Sequence, residues 1–98
     1  MRAPRQKTYL VESYAPGLDR RIAAVMTAHL VEAVSRLRAE GLAIEWRGAL
    51  SLPAEETYLY LISARRAADV ARVSATARVA YDRLSEVVAT WPSDPGLG

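Results

Sequence analysis

The 98-residue chain lacks cysteine, so disulfides, thiolate metal sites and cysteine nucleophiles are excluded. It also lacks an apolar run near the roughly 20 residues that a membrane-spanning helix needs. The basic N-terminal residues are not followed by the apolar segment of a signal peptide. These absences predict a cytoplasmic protein that does not bind a membrane.

A strong charge of either sign is absent as well. Thirteen basic and eleven acidic side chains give a net charge of +2, which is too small to require a polyanionic partner. Hydrophobic residues make up 51% of the chain and charges are interspersed among them, which argues against disorder. A chain of this length predicts one domain, with a core small enough for dimerisation to help it.

Periodicity predicts most of the secondary structure. Alternation and turn signals predict strands at 7–13, 42–51 and 57–63, and a 3.6-residue period predicts helices at 18–40 and 64–77. In the second strand, Ile44, Trp46, Gly48 and Leu50 are expected to point the same way. Asp19 is the expected N-cap of the first helix, Gly41 its C′ residue and Ser63 the cap of the second helix.

The segment from residue 79 to 91 fits two patterns. Its apolar residues have helical spacing, which would extend the second helix to Trp91, but Leu84 to Val88 also reads as a strand. A strand there completes a β-α-β-β-α-β order, the ferredoxin-like plait, an α+β fold. Both helices would then cover one face of a four-stranded antiparallel sheet, and the bare face would be a dimer or ligand surface. This domain would span 7–91, between a flexible basic arm (1–6) and a flexible tail (92–98).

Three segments carry a recognisable pattern: Tyr9–Gly17 (YLVESYAPG), Gly41–Pro53 with its Ile-x-Trp strand, and Tyr81–Val87. They resemble a small bacterial family of ferredoxin-like domains of unknown function that includes a nickel-binding protein. The resemblance implies a fourth strand near 83–88 and a homodimer that forms a dimeric α+β barrel. The chain departs from the family where a cysteine is expected in the third strand and where Arg78-Val79-Ala80 replaces Gly-x-Pro.

Nickel, or another divalent metal, is the ligand that the resemblance suggests. A nickel site usually uses imidazole ligands, and the chain has one histidine. The resemblance alone therefore does not predict a nickel site in this chain. His29 lies near the edge of the apolar stripe of the first helix, where a lone histidine is usually a packing residue. The alternatives are a site shared with Glu32, or two copies of His29 at a dimer axis.

Two glutamates, Glu12 and Glu86, stand among apolar residues in the first and last predicted strands. These strands are neighbours in a plait, so the carboxylates are candidates for a catalytic pair. One would then hold its proton more tightly, which suits acid–base chemistry or a hard cation. The alternative is that each forms an ion pair with an arginine such as Arg20, Arg47 or Arg83.

Tyrosines place aromatic rings on the central strands at Tyr9, Tyr58 and Tyr60. RNA-recognition motifs stack bases on such rings, but the basic-Gly-aromatic-Gly run is missing and the charge is balanced, so no nucleic acid is expected. A dimer face or a ligand pocket is the expected use of these rings. No P-loop, Rossmann glycine pattern, Ser-His-Asp set or EF-hand loop is present.

Three functions remain open. The first is a binding module in which two plaits pack sheet to sheet around a metal ion or small organic molecule. Its pocket would be lined by Trp46, Tyr58, Leu59, Tyr60 and Leu61, with Glu12, Glu86 and Arg47 as the polar groups. The second is a cofactor-independent isomerase, cyclase or monooxygenase of secondary metabolism with Glu12 as base. The third is a structural protein that uses the bare sheet for hetero-association.

Overall fold

A computed structural model describes residues 6–90, so the expected tail and all of the expected arm except Gln6 lie outside the described residues. The elements in chain order are β1 (Lys7–Tyr14), α1 (Arg20–Ala39), β2 (Ile44–Leu52), β3 (Thr57–Ala64), α2 (Ala67–Ala77) and β4 (Arg83–Val87). A short 3₁₀ turn, Pro53–Glu55, joins β2 to β3 in a hairpin. None of the helices within 6–90 is long and apolar enough to cross a membrane.

The four strands form one antiparallel sheet in the order β2-β3-β1-β4, and the two helices complete a ferredoxin-like plait. This confirms the predicted fold class. It also decides between the two patterns at 79–91. Within this segment Arg83–Val87 forms a strand, because its backbone groups pair with β1, from Thr8 opposite Val87 to Glu12 opposite Arg83.

The core lies between the helices and one face of the sheet. Alternate strand residues enter it together with the apolar stripes of both helices. Its fully buried large side chains include Val11, Tyr58, Tyr60, Ile62, Leu30, Val70 and Val73. The opposite face of the sheet carries the intervening residues and has no helix packed on it within 6–90.

Helix α1 has the predicted ends. The Oδ1 atom of Asp19 accepts a hydrogen bond of 2.8 Å from the backbone N–H of Ile22, as an N-cap does. At the other end Gly41 has a φ of +100°, which favours glycine. The N–H of Gly41 bonds to the carbonyl of Arg38 and that of Leu42 to the carbonyl of Leu37. These two bonds form a Schellman motif that satisfies the last carbonyls.

The start of α2 differs from the prediction. Ser63 does not cap it, because β3 continues to Ala64, which pairs with Lys7 on one side and Ile44 on the other. Helix α2 begins only at Ala67, and its N-cap residue, Arg66, makes no side-chain capping bond. The strand pairing on both sides outweighs the local capping preference.

Strand β2 contains a bulge. Trp46 lies opposite Ile62 and Gly48 opposite Leu61, so Arg47 is an extra residue. Gly48 has a φ of +146°, which side-chain-bearing residues rarely adopt. The expectation that Ile44, Trp46, Gly48 and Leu50 all point to the same face is therefore wrong. The bulge moves Gly48 and Leu50 to the face opposite Trp46.

Candidate functional site

The uncovered face of the sheet, here called the open face, carries a patch of five leucines. Leu10 on β1 lies opposite Leu61 on β3, and Leu59 lies opposite Leu50 on β2. The fifth is Leu52, and we call Leu10, Leu50, Leu52, Leu59 and Leu61 the leucine patch. Leu50 is 57% exposed and Leu52 39%. Leu10, Leu59 and Leu61 are partly exposed. A contiguous apolar patch of this kind is a candidate surface for a ligand or for another protein.

A groove of about 370 Å³ lies within the open face. Its lining residues are Leu10, Arg47, Gly48, Ala49, Leu50, Leu59, Tyr60 and Leu61. Gly48 contributes to the groove, since a Cβ placed on it would meet no atom within 4 Å. Pockets for small organic ligands begin at about 300 Å³ and are mostly apolar with a few polar groups. The groove therefore has the size and the lining of a small-molecule site.

Arg47 is the charged residue of this lining. The bulge places it on the open face beside Glu45, with Nη1 of Arg47 3.0 Å from Oε2 of Glu45. Both side chains are partly exposed at the margin of the groove. The sequence pattern indicated Arg47 as a site residue, and the structure brings it to the groove.

Glu12 and Glu86 do not approach each other. Glu12 lies opposite Arg83 on the open face, with Arg83 Nε 3.7 Å from Glu12 Oε2. Glu86 lies opposite the core residue Tyr9, so it is on the other face, and Lys7 Nζ is 3.6 Å from its Oε1. The prediction that the two carboxylates form a pair is wrong, because alternation along the strands places their side chains on opposite faces of the sheet. The ion-pair alternative is confirmed for Glu12, whereas Glu86 pairs with lysine.

The rings of Tyr58 and Tyr60 do not lie on the open face as expected, although Tyr60 is among the residues that line the groove. Tyr58 and Tyr60 are each 1% exposed and lie beneath the helices. The Tyr58 hydroxyl hydrogen-bonds with Thr27 of α1, and the Tyr60 hydroxyl with Ser74 of α2, both at 2.5 Å. Burial raises the pKa of both phenols, that of Tyr60 to about 12. Two neutral tyrosines with partners in the helices are structural groups.

Trp46 and Tyr9 belong to the same side of the sheet. Tyr9 is buried in the core, and Trp46 packs against the core with its ring stacked on that of Tyr60 at a centroid distance of 5.8 Å. Alternation correctly separated Tyr58 and Tyr60 from the leucines of β3. It did not show which of the two sets the helices cover.

His29 lies exposed on α1, away from the open face. It borders a small concavity of about 80 Å³ that also contains Glu32 and Arg36. The guanidinium of Arg36 disfavours a cation there. Within residues 6–90, no three His, Cys, Asp or Glu side chains form a group that could hold a metal ion. A metal site at His29 remains a prediction, with Glu32 as the candidate partner in the same concavity.

The sequence pattern did not indicate four residues of the groove, Leu10, Gly48, Ala49 and Leu50. Two signals were present. Leu10 alternates with Tyr9 and Val11, so it must lie on the face opposite theirs, and a glycine inside a strand often marks a bulge.

No protein-family model, curated protein or solved structure matches the chain. The resemblance to a family of unknown function that includes a nickel-binding protein therefore remains a prediction, and the open face is interpreted from its own chemistry.

Proposed function

We propose that the protein is a small dimeric binding module that holds a mostly apolar organic molecule in the open-face groove. A second copy packs its own open face over the first, so that two sheets enclose the ligand. The observation that carries this proposal is the leucine-lined groove of about 370 Å³ on the face that neither helix covers.

Burial of apolar surface supplies the driving force for both ligand binding and dimerisation. Each exposed leucine gains about 1.5–3 kcal/mol when it is fully buried. From strand spacing and rise, the open face measures about 19 by 27 Å, roughly 500 Å² in projection. Side chains standing out from the sheet raise its accessible area towards the roughly 800 Å² that each partner contributes to a standard interface.

A second candidate function is catalysis with Glu12 as base, as in a cofactor-independent isomerase, cyclase or monooxygenase. The observation in its favour is that Glu12 lies on the open face, beside Leu59 in the sheet register. Arg83 Nε lies 3.7 Å from the carboxylate of Glu12. Turnover of a substrate by a Glu12→Gln variant at the wild-type rate would exclude Glu12 as the base.

The test of the binding module uses Leu61→Arg, which places a charge in the centre of the leucine patch. We expect wild type to be a dimer by light scattering and to bind the apolar probe 1-anilinonaphthalene-8-sulfonate stoichiometrically. Leu61→Arg should be a monomer whose probe affinity is at least tenfold lower, because a buried unpaired charge is costly. The matched control is Val88→Arg, at a position that is 97% exposed outside the strands. A wild-type protein that stays monomeric at high concentration contradicts the proposal.

A further inference from the structure

Two ion pairs occupy opposite margins of the open face. The Glu45–Arg47 pair lies on β2, at one side of the leucine patch. The Glu12–Arg83 pair joins β1 to β4, at the other side. By strand spacing and rise the two pairs are about 15 Å apart. Neither pair contributes to the core, and both lie on the open face.

The leucine patch runs obliquely between the two ion pairs. It begins at Leu10 on β1 and reaches Leu52 near the end of β2, as the strand register shows. A line along the patch therefore has one ion pair on each side. A two-fold rotation about such a line turns the sheet over and exchanges its two sides. Each copy would then place its Glu12–Arg83 pair over the Glu45–Arg47 pair of the other.

The order of the charges fits this rotation. In the sheet register Glu12, on β1, is nearer the leucine patch than Arg83, on the outer strand β4. On the other side Arg47 borders the groove, whereas Glu45 lies further along β2. The inner charge is thus negative on one side and positive on the other, and the outer charges are also opposite in sign. A closed two-fold interface needs this self-complementarity.

We propose that the second copy packs with its two-fold axis along the leucine patch, so that its Glu12 faces Arg47 and its Arg83 faces Glu45. This inference rests on the proposed function and specifies its partner. The site is then composite, because each groove receives its acidic group from the other copy. Leucines supply the contact area, and the four charges set the orientation, as charges at an interface rim do.

Charge swaps test the orientation while keeping every pair within a chain intact. One half-swap combines Glu12→Arg with Arg83→Glu, and the other combines Glu45→Arg with Arg47→Glu. Either half-swap opposes like charges across the proposed interface. The full swap of all four residues restores attraction everywhere. Circular dichroism and urea unfolding establish that each variant folds.

We expect each half-swap to raise the dimer dissociation constant about tenfold in sedimentation equilibrium at low salt, since every contact occurs twice in the dimer. The full swap should return it to within about threefold of wild type, and high salt should reduce both differences. Half-swaps that dimerise like wild type, or a full swap no better than either half, overturn the orientation but leave the binding module standing. A monomeric wild type overturns both proposals.

Discussion

Buried hydroxyl groups on the sheet are hydrogen-bonded to both helices. Within residues 6–90 no buried side-chain nitrogen or oxygen lacks a hydrogen-bond partner. Tyr58 hydrogen-bonds with Thr27 on α1, and Tyr60 hydrogen-bonds with Ser74 on α2. Two alternate positions of β3 therefore contact both helices through hydrogen bonds. A buried hydroxyl without a partner costs about 1–3 kcal/mol, so helix positions that break these bonds are disfavoured.

The pH dependence of stability should report on Tyr60. Its pKa rises from 10.0 to about 12 in the folded state because the ring is buried. The folded state therefore holds the phenolic proton more tightly than the unfolded state does. The free energy of unfolding should be unaffected by this group below pH 10 and should fall as the pH rises from 10 to 12. At about 1.4 kcal/mol per pKa unit, the loss reaches roughly 1–3 kcal/mol.

Urea unfolding at several pH values between 9 and about 12 measures this loss, with Tyr60→Phe as the comparison. The variant lacks the ionisable group, so its stability should fall less steeply over the same range. Part of the slope should remain, because burial also raises the pKa of Tyr58. Tyr14→Phe, at an exposed position, controls for the loss of a tyrosine hydroxyl outside the core. Equal slopes for Tyr60→Phe and wild type would contradict the assignment.

At the level of elements, sequence periodicity predicted most of the fold. The helix at Arg20–Ala39 has its predicted cap, and the strands lie within about two residues of their expected ends. The alternation rule fails at Arg47. The extra residue moves every later side chain of β2 to the opposite face from the one that alternation predicts. A glycine signals a possible bulge, but its exact position depends on how β2 pairs with β3, and that pairing is a tertiary contact.

Gly48 should be required for the bulge. Its φ of +146° is strained for any residue with a side chain, although a Cβ would meet open space. We therefore expect Gly48→Ala to lower the free energy of unfolding by about 1–3 kcal/mol through backbone strain alone. Urea denaturation measures the change, and Ser51→Ala on the same strand is the control with an ordinary backbone. A Gly48→Ala protein as stable as wild type would show that the bulge relaxes without cost.

At the scale of the whole molecule, the site was harder to predict than the fold. Alternation divides β3 into a tyrosine face and a leucine face, and both are apolar enough to be the core. The helices cover the tyrosine face, where Thr27 and Ser74 hydrogen-bond with its hydroxyls, whereas the leucines need no polar partner. Such a choice depends on contacts between distant segments. The expected site therefore included buried rings and omitted Leu10 and Leu50.

A dimer that covers the leucine patch should unfold at a temperature that depends on protein concentration. Association stabilises the folded state by mass action, so Tm should rise by a few degrees over a hundredfold increase in concentration. Leu61→Arg abolishes the interface, and its Tm should be independent of concentration, although Leu61 contributes no side chain to the helix-covered core. Differential scanning calorimetry of wild type, Leu61→Arg and Val88→Arg measures these dependences. A concentration-independent Tm for wild type would mean that the leucine patch is not covered by a second copy.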